Sequence, residues 1–405
     1  MNKIKLAVVS DLHCHPSTEK NPSTHLFTDL LRDDVNLHPV ASLIEYHQDF
    51  LKDEHSNVDY LLCPGDVTNF SNLQGFISGW DYVQEISKMF QATFTYATLG
   101  NHDIDSRHKN SKYFQKIPKG IKKGYPIADE EIGTFWEKGY TFIEKDNLQL
   151  LIVNSTHYHT HHEESESPTI KGEISQSAIH EIDRYLHDKN DNSKIKIMMC
   201  HHHPIQQSEM NLGPYDFIEN GEELMFVLAK YNFDLVIHGH KHYPKLKKYE
   251  TDNGKSIPVL SAGSFSATNQ ISFTSKFNYI HIIEITKDTN QAKGVIKTPN
   301  YKYQVGWKNN SEGFDFLTGF GANKTSAELI ISIQEIMTNT DVIDWNEICE
   351  TLPDLRHIMP QELEEIKTSL RMVGCSLSFD DSNYPETIYN NKLLRERRNG
   401  SKFSK

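Results

Sequence analysis

Five short polar clusters contain the residues of this chain that are best suited to chemistry. Each cluster follows directly after a short apolar run and combines carboxylates, an amide or imidazoles with small turn residues. The clusters are Asp11-Leu12-His13, Gly65-Asp66, Gly100-Asn101-His102-Asp103, His201-His202-His203-Pro204 and Gly239-His240-Lys241-His242. Donors of these types, with no cysteine pair among them, exclude a thiolate zinc site and suit Mn, Fe, Zn or a similar borderline cation.

The number of donors in these clusters predicts two metal ions rather than one. A single ion accepts about four to six ligands, and more side chains than that qualify here. The set is Asp11, His13, Asp66, Asn101, one of the adjacent histidines, His240 and His242. Two cations about 3.5 to 4 Å apart can deprotonate a water molecule near neutral pH and clamp phosphoryl oxygens during an in-line displacement. Phosphoester hydrolysis is therefore the chemistry that this set favours.

The apolar runs before the clusters predict buried strands that bring these side chains to one place. The runs are residues 4–9, 58–62, 94–99, 195–199 and 233–237, each bounded by turn residues. Helical periodicity lies between them, for example in residues 38–52 and 79–90, and alternating strands and helices are typical of a layered α/β domain. Loops that leave the carboxyl ends of strands converge at one edge of such a sheet, so we expect the site there.

The ordered series of motifs resembles the calcineurin-like metallophosphoesterase superfamily. The pattern of that family is D-x-H, G-D, G-N-H-[DE], a His near a Pro, and G-H-x-H, and all five blocks occur here in order across roughly residues 1–285. A D-x-H or a G-D alone is weak evidence, whereas the whole series, each block after a predicted strand, is strong. The resemblance implies a four-layer α-β-β-α sandwich of two mixed sheets as the catalytic domain, residues 1–300.

The resemblance also implies how the ligands divide between two ions. Asp66 is the carboxylate that would bridge them. In the family the histidine ligand usually lies two residues before the proline, which selects His202, but His201 is closer to the strand end and stays open as an alternative. The remaining ligands are Asp11, His13 and His242 for the first ion, and Asn101 and His240 for the second.

His102 and Asp103 are the predicted catalytic residues. By resemblance, His102 does not bind metal itself but lies over the substrate and protonates the departing oxygen, while Asp103 orients it. An imidazole suits this role because its unperturbed pKa lies near about 6.5. The nucleophile in this scheme is a metal-bridging hydroxide, and no covalent enzyme intermediate is required.

Three functions fit these residues. The His-His-Pro block and the histidine acid resemble the cyclic-nucleotide and glycerophosphodiester branch more than the protein phosphatases, so a phosphodiesterase acting on a nucleotide-like diester is the first expectation. A nuclease is the second, because basic residues interleaved with aromatic ones in 107–123 can hold the phosphates of DNA or RNA and stack its bases. A metal-bound scaffold or a protein phosphatase is the third, since some family members keep the fold and lose the activity.

Composition indicates a folded protein without a membrane segment. The chain has 405 residues, 37% of them hydrophobic, and a formal net charge of -13, which argues against a general nucleic-acid binder. No apolar stretch approaches the roughly 20 residues that span a bilayer, and the N-terminus leads straight into a predicted strand without a signal peptide, so a cytoplasmic location is expected. The 5 cysteines are an odd number and are expected to be reduced.

Residues 301–405 differ from the rest, and the sequence predicts a helical appendage there. Thr325 with Glu328 and Asp344 with Glu347 have capping-box spacing, and a third helix is expected to begin after Pro360. The predicted buried stripe of this third helix is Leu363, Ile366, Leu370 and Val373. These helices contain no cluster of reactive side chains, so we expect them to serve stability, homo-oligomerisation or binding of a protein partner.

Overall fold

A computed structural model describes most of the chain. The described residues are 2–16, 23–28, 35–51, 57–106, 113–120, 124–159, 171–205, 217–251, 254–268, 277–288, 291–310 and 314–400. Among them, no helix has both the length and the apolar composition needed to cross a bilayer.

The strands of the described residues form two large sheets and three small ones. In chain order they are β1 (Asn2–Val8), β2 (Tyr60–Cys63), β3 (Phe94–Ala97), β4 (Tyr140–Glu144), β5 (Leu148–Val153), β6 (Gly172–Glu173), β7 (Ile195–Met199), β8 (Ile218–Glu219), β9 (Leu235–His238), β10 (Lys245–Glu250), β11 (Ser256–Ser261), β12 (Asn278–Tyr279), β13 (His281–Lys287), β14 (Ala292–Lys297), β15 (Asn300–Lys302), β16 (Gly306–Lys308), β17 (Leu317–Phe320), β18 (Val342–Asp344), β19 (Cys375–Phe379) and β20 (Pro385–Asn390).

The helices lie between the strands of the large sheets and in the C-terminal part. In chain order they are α1 (Pro39–Tyr46), α2 (Leu73–Met89), α3 (Lys116–Gly120), α4 (Phe135–Lys138), α5 (Gln176–Lys189), α6 (Gly221–Lys230), α7 (Ser326–Met337), α8 (Trp345–Thr351), α9 (Pro360–Met372) and α10 (Asn391–Gly400).

Each large sheet is mixed, with a parallel part that leads to the polar clusters. The first sheet has the order β17-β14-β13-β1-β2-β3, in which β1, β2 and β3 are parallel. The second has the order β10-β11-β9-β7-β5-β4, in which β5, β7, β9 and β11 are parallel. Parallel strands end at the same edge of their sheet, so the loops that follow them lie side by side.

Alternating side chains on β5 show that the two large sheets pack face to face. Leu148, Leu150 and Ile152 belong to the core shared with the first sheet, whereas Leu151 and Val153 belong to a second core beneath α5 and α6. Strands that are covered on both faces are mostly apolar, and Gln149 is the one polar residue of β5. Helices α1 and α2 bury their apolar faces in the first core, so the predicted four-layer α-β-β-α sandwich is confirmed.

The start of α2 differs from the sequence prediction. Periodicity indicated a helix over residues 79–90, but the helix begins at Leu73 because the Asn72 side chain accepts a 2.8 Å hydrogen bond from the main-chain N–H of Gly75. Asparagine is a favoured N-cap because its side chain satisfies one of the free N–H groups of the first turn. In the other predicted helix, residues 38–52, α1 ends at Tyr46 and a π-helical turn follows over His47–Leu51.

The C-terminal part contains the predicted helices and also strands that periodicity did not reveal. Thr325 and Glu328 form the expected capping box, and α9 begins at Pro360. Strand β17 joins the first large sheet beside β14, and β18, β20 and β19 form a sheet of their own. The predicted burial of Val373 is wrong, since this residue is 50% exposed. The helix ends at Met372, and Gly374 with a φ of 84° turns the chain away before Val373 reaches the core.

A buried ion pair joins the two large sheets at the amino ends of the parallel strands. Lys287 at the end of β13 donates to Asp234 Oδ2 at 2.7 Å, and the same oxygen accepts from the main-chain N–H of Lys196 on β7 at 2.8 Å. The Lys287 side chain is 1% exposed and that of Asp234 is 7% exposed. Removing one partner of such a pair leaves the other charge buried and uncompensated.

We expect Lys287→Met to lower the free energy of unfolding by about 3 to 5 kcal/mol, because Asp234 then stays buried without its cation. The matched control is Lys3→Met, which removes the pair of Lys3 with Glu284 on the same sheet, whose side chains are 62% and 42% exposed. An exposed pair contributes at most about 1 kcal/mol. Urea unfolding measures both changes, and equal losses would show that burial of the Lys287 pair does not matter.

Candidate metal centre

Loops at the carboxyl ends of five strands hold the predicted site residues. The clusters follow β1, β2 and β3 of the first sheet and β7 and β9 of the second, as the sequence predicted. Asp11 and His201 are 0% exposed and Asp66 is 1% exposed. These polar side chains therefore lie at the bottom of the site and contact one another rather than bulk water.

Five of the predicted ligands have left-handed backbone conformations. The φ angles are 53° for Asp11, 48° for His13, 53° for Asp66, 86° for His240 and 55° for His242. Such conformations cost about 1 kcal/mol or more for a residue with a Cβ atom and persist where the surrounding structure enforces them, commonly at functional sites. The strain directs these side chains towards positions that an ordinary turn would not provide.

Asp11, His13 and His242 form the first group of converging donors. The Nε2 atoms of His13 and His242 lie 2.8 Å apart, and Asp11 Oδ1 lies 3.4 Å from His242 Nε2 and 3.8 Å from His13 Nε2. Ser10 donates a 2.5 Å hydrogen bond to Asp11 Oδ2, and the main-chain N–H of His240 donates to Asp11 Oδ1 at 3.0 Å. The orientation of this carboxylate is thus fixed from two sides.

Asn101, His201 and His240 form the second group. Asn101 Oδ1 lies 3.1 Å from His201 Nε2 and 2.9 Å from His240 Nδ1. His201 Nδ1 donates a 2.9 Å hydrogen bond to the carbonyl oxygen of Pro64. Because a carbonyl only accepts, the lone pair of His201 Nε2 is left facing Asn101, which is the arrangement that a metal ligand needs.

Asp66 lies between the two groups. Its Oδ2 is 3.3 Å from His201 Nε2 in the second group and 3.7 Å from His13 Nε2 in the first. Its Oδ1 accepts a 2.7 Å hydrogen bond from the main-chain N–H of His102. A carboxylate in this position can be shared by two cations.

The structure places His201, and not His202, within about 3.3 Å of Asn101 and Asp66. His202 Nδ1 lies 2.8 Å from Ser155 Oγ, and the His202 ring packs against the ring of His240 with 4.4 Å between centroids. The family pattern selected His202, whereas the alternative that the sequence left open is the one whose nitrogen faces Asn101. The two side chains differ in their partners: the His201 ring nitrogens contact Pro64 and Asn101, whereas His202 Nδ1 contacts Ser155.

His102 lies beside the ligand groups with one ring nitrogen already bonded. Its Nδ1 accepts a 3.2 Å hydrogen bond from the main-chain N–H of Phe70, so the neutral ring has its proton on Nε2. The centroid of the ring is 4.7 Å from that of His13. Burial lowers the pKa of His102 to about 3, although the Asp66 carboxylate opposes this shift. The neutral ring therefore presents an N–H donor next to the metal ligands.

Asp103 holds the loops of the site together, and its predicted role of orienting His102 is not seen. Its carboxylate accepts main-chain hydrogen bonds from Asp66 and Gly100, at 2.9 Å each, and from Thr68 at 3.1 Å. Both Asp103 and His102 are described residues, and no hydrogen bond joins this carboxylate to the imidazole ring. Burial raises the pKa of Asp103, and the main-chain N–H groups oppose that shift by stabilising the ionised form.

The charges of the site favour bound cations. Burial raises the pKa of Asp11, but hydrogen bonding to His13 and further imidazoles lowers it well below its usual range overall. Burial also raises the pKa of Asp66, but the charge of His201, together with other imidazoles, outweighs burial, so the pKa of Asp66 is lowered overall. Burial lowers the pKa of His201, yet Asp66 raises it to about 9 overall. His240 Nε2 is buried and has no hydrogen-bond partner among the described residues. Two ionised, buried carboxylates need positive charge beside them, so the donor set fits two divalent cations.

Sequence reasoning missed the residues that hold the ligands in place. A Cβ atom on Gly100 would collide with the Asp66 carboxylate, and one on Gly239 would collide with that of Asp11. Both glycines are the first residues of their motifs, so the sequence could have indicated that a side chain is not tolerated there. Ser155, which bonds to His202, gave no such signal because it comes from a distant loop.

The basic segment of residues 107–123 lies only partly among the described residues. The residues outside are Arg107, Lys109, Lys112, Lys122 and Lys123. Within residues 113–120, Lys119 Nζ lies 5.2 Å from the ring centroid of Trp136 and 5.5 Å from that of Tyr113. Part of the positive charge of this segment thus contacts aromatic rings of the protein itself.

We expect Gly239→Ala to weaken Mn²⁺ binding by about 10- to 100-fold, the range seen when a group that orients a metal ligand is disturbed. The added Cβ atom collides with Asp11 Oδ2 and Ser10 Oγ, so the carboxylate must turn away from His13 and His242. Isothermal titration calorimetry measures the affinity, and circular dichroism checks the fold.

The matched control is Gly120→Ala, because a Cβ atom there has no neighbour within 4 Å. This variant should bind Mn²⁺ like the wild type. Unchanged Mn²⁺ affinity in a folded Gly239→Ala protein would show that Asp11 does not bind the metal.

The family of this chain follows from its sequence as well as from the site. A family model described as calcineurin-like phosphoesterase matches residues 4–244, which is more than half of the chain. The chain therefore belongs to the calcineurin-like phosphoesterase family. No curated protein matches the sequence significantly.

Solved structures similar to this chain have low sequence identity to it. A dimetal phosphatase from Danio rerio is 13% identical with a TM-score of 0.46, and the match covers 74% of this chain and 99% of that protein. Vps29 from Entamoeba histolytica in complex with zinc is 11% identical with a TM-score of 0.30, and the match covers 78% of this chain and 99% of that protein.

The family and the two groups of ligands together define the general activity. Membership of this family implies that the protein binds divalent metal ions. The described residues provide Asp, Asn and His donors that lie close enough together to hold such ions. The protein is a metal-dependent phosphoesterase.

Proposed function

We propose that the protein is a phosphodiesterase that hydrolyses a nucleotide-like phosphodiester, with His102 donating to the departing oxygen. The observation that supports this most directly is the hydrogen bond from Phe70 to His102 Nδ1, which leaves an N–H donor on Nε2 beside His13. An alkyl diester releases an alkoxide, which is a strong base and needs such a donor in the transition state. The His-His-Pro block supports the same choice over the protein phosphatases.

The side chains of the site divide into metal holders and one donor. When bound, the cations lower the pKa of water and neutralise charge on the phosphoryl oxygens. The residues that would hold them are Asp11, His13 and His242, then Asn101, His201 and His240, with Asp66 shared between both sets. Asp103 fixes the loops that carry Asp66 and Asn101, so the donor and the metal holders keep constant positions relative to each other.

We expect His102→Ala to lower kcat for an alkyl diester such as a cyclic nucleotide by about 100- to 1,000-fold, the loss typical of removing one hydrogen-bond donor to a developing oxyanion. The loss for bis(p-nitrophenyl) phosphate should be smaller, because p-nitrophenolate is already a stable anion and needs less stabilisation by a hydrogen bond. A ring nitrogen of His102 lies within 4.8 Å of ligand atoms of His13 and Asp66, so metal content is measured together with kcat; it should be unchanged, because neither of the two groups described above needs His102.

The matched control for this variant is His187→Ala, because the side chain of His187 on α5 is 77% exposed. It should keep wild-type activity on both substrates. Equal losses for His102→Ala on the alkyl and the p-nitrophenyl diester would contradict a role in stabilising the charge on the leaving group.

We expect hydrolysis of bis(p-nitrophenyl) phosphate to stop in EDTA and to return with Mn²⁺, since neither group of donors can act without its cation. The diester should be a better substrate than p-nitrophenyl phosphate, and a small diester should be hydrolysed faster than single-stranded or duplex DNA and RNA. Comparing kcat/KM across these substrates measures the preference.

The same substrate series separates the alternatives. A higher kcat/KM for the monoester would favour a phosphatase, and a higher value for nucleic acid would favour a nuclease that uses the basic segment. Metal-replete protein without activity on any phosphoester would favour a scaffold.

A further inference from the structure

Phe70 is the one exposed residue of an otherwise buried loop segment. The residues on either side of it are at most 5% exposed, whereas Phe70 is 52% exposed; they are Val67, Thr68, Asn69 and Ser71. An isolated exposed aromatic residue on a protein surface needs no explanation. Here, however, the exposed ring belongs to the loop that begins with Asp66, the carboxylate between the two ligand groups. The exposure of Phe70 at this position therefore needs an explanation.

The backbone of Phe70 is held in a conformation that phenylalanine rarely adopts. The φ angles of Phe70 and Ser71 are 50° and 54°, in the left-handed region that favours glycine or asparagine. Hydrogen bonds hold this turn in place, from the Phe70 N–H to His102 Nδ1 at 3.2 Å and from the Ser71 N–H to the His102 carbonyl at 2.8 Å. A strained conformation that exposes a large apolar ring does not serve stability, and such strain is typical of ligand-binding positions.

The ring of Phe70 lies beside His102, the proposed donor to the leaving group. Its centroid is 5.2 Å from that of His102, and the centroid of His102 is 4.7 Å from that of His13. The His102 ring therefore contacts both Phe70 and one of the predicted metal ligands. If His102 donates to the departing oxygen, the group attached to that oxygen lies next to His102 and within reach of the Phe70 ring.

We propose that Phe70 is a specificity-determining residue that stacks on a planar ring in the leaving group of the substrate, such as a nucleoside. This inference rests on the proposed phosphodiesterase function and adds which half of the diester is recognised. The half of the diester that stays on phosphorus would not contact Phe70 in this arrangement. The structure of that half should therefore have little influence on the preference for an aromatic leaving group. Stacking of this kind is sequence-tolerant, because every base has a π-face.

The test compares two diesters that share a methyl group and differ in the leaving group. Methyl phenyl phosphate has an aromatic leaving group, and methyl 2,2,2-trifluoroethyl phosphate has a small alkyl one. Phe70→Ala should lower kcat/KM for the phenyl ester by about 5- to 100-fold, the range expected for loss of one stacking contact. The same variant should change kcat/KM for the trifluoroethyl ester by less than about twofold, since no ring is stacked there. Phosphorus NMR follows both reactions.

Three further variants distinguish stacking from a structural role. Phe70→Trp should keep the preference for the phenyl ester, because it restores an aromatic face. Phe70→Gly should lose the preference as Phe70→Ala does but melt at a higher temperature than Phe70→Ala, because glycine adopts a positive φ without strain. The matched control is Phe226→Ala, because Phe226 on α6 is also an exposed phenylalanine, at 54%. This variant should not change kcat/KM for either ester.

Equal losses of Phe70→Ala on the two esters would overturn the proposal, because a structural defect does not discriminate between leaving groups. If the wild type hydrolyses phenyl phosphate and neither diester, the phosphodiesterase function fails, and the same comparison with phenyl and trifluoroethyl monoesters decides the role of Phe70.

Calorimetry tests the same stacking contact by binding alone, without turnover. Phenylphosphonate should bind to metal-loaded Phe70→Ala about 5- to 100-fold more weakly than to the wild type, and methylphosphonate equally to both. Equal affinity for phenylphosphonate would also overturn the proposal.

Discussion

The burial of two ionised carboxylates, Asp11 and Asp66, is the constraint on which the rest of this site depends. An uncompensated carboxylate in a protein interior is costly, and these two side chains are 0% and 1% exposed. The imidazoles around them and the N–H groups that bond to them provide part of the compensation. Asp66 raises the pKa of His201, and a bound cation would replace the proton that this ring holds beside the carboxylate. A pair of divalent cations meets this demand fully, so metal binding and the stability of these loops are linked.

Rigidity is the second property of the site, and it has a conformational cost. Left-handed ligands, glycines pressed against carboxylates, and the turn at Phe70 are all unfavourable in isolation. Main-chain hydrogen bonds to Asp103 hold the loops after β2 and β3 together, and the N–H of His240 bonds to Asp11 between the loops after β9 and β1. Beneath them lie two sheets whose side chains are packed on both faces. Donors held in this way do not have to reorganise during a reaction, which is the main advantage of a preorganised site.

Much of the fold was predictable because the strands that lead to the site are largely buried and appear in the sequence as apolar runs. The run of residues 195–199 coincides with β7, and the apolar runs before the other clusters coincide closely with their strands. The sheet of β18, β19 and β20 was missed because these strands are only partly buried and contain no continuous apolar run. The start of α2 was misplaced because its first turn depends on the Asn72 cap and is not apolar on one face.

By itself, the sequence determined the donor types, their order along the chain and their positions after buried strands, because these follow from local residue identity and periodicity. Only the tertiary structure decided that His201 lies beside Asn101 and Asp66 while His202 contacts Ser155, that Asp103 binds main-chain N–H groups rather than His102, and that Phe70 lies beside His102. The physical reason is that the direction of a side chain depends on backbone dihedrals and on partners from distant segments. Pro64 and Ser155 position the adjacent histidines, and neither is near them in the chain.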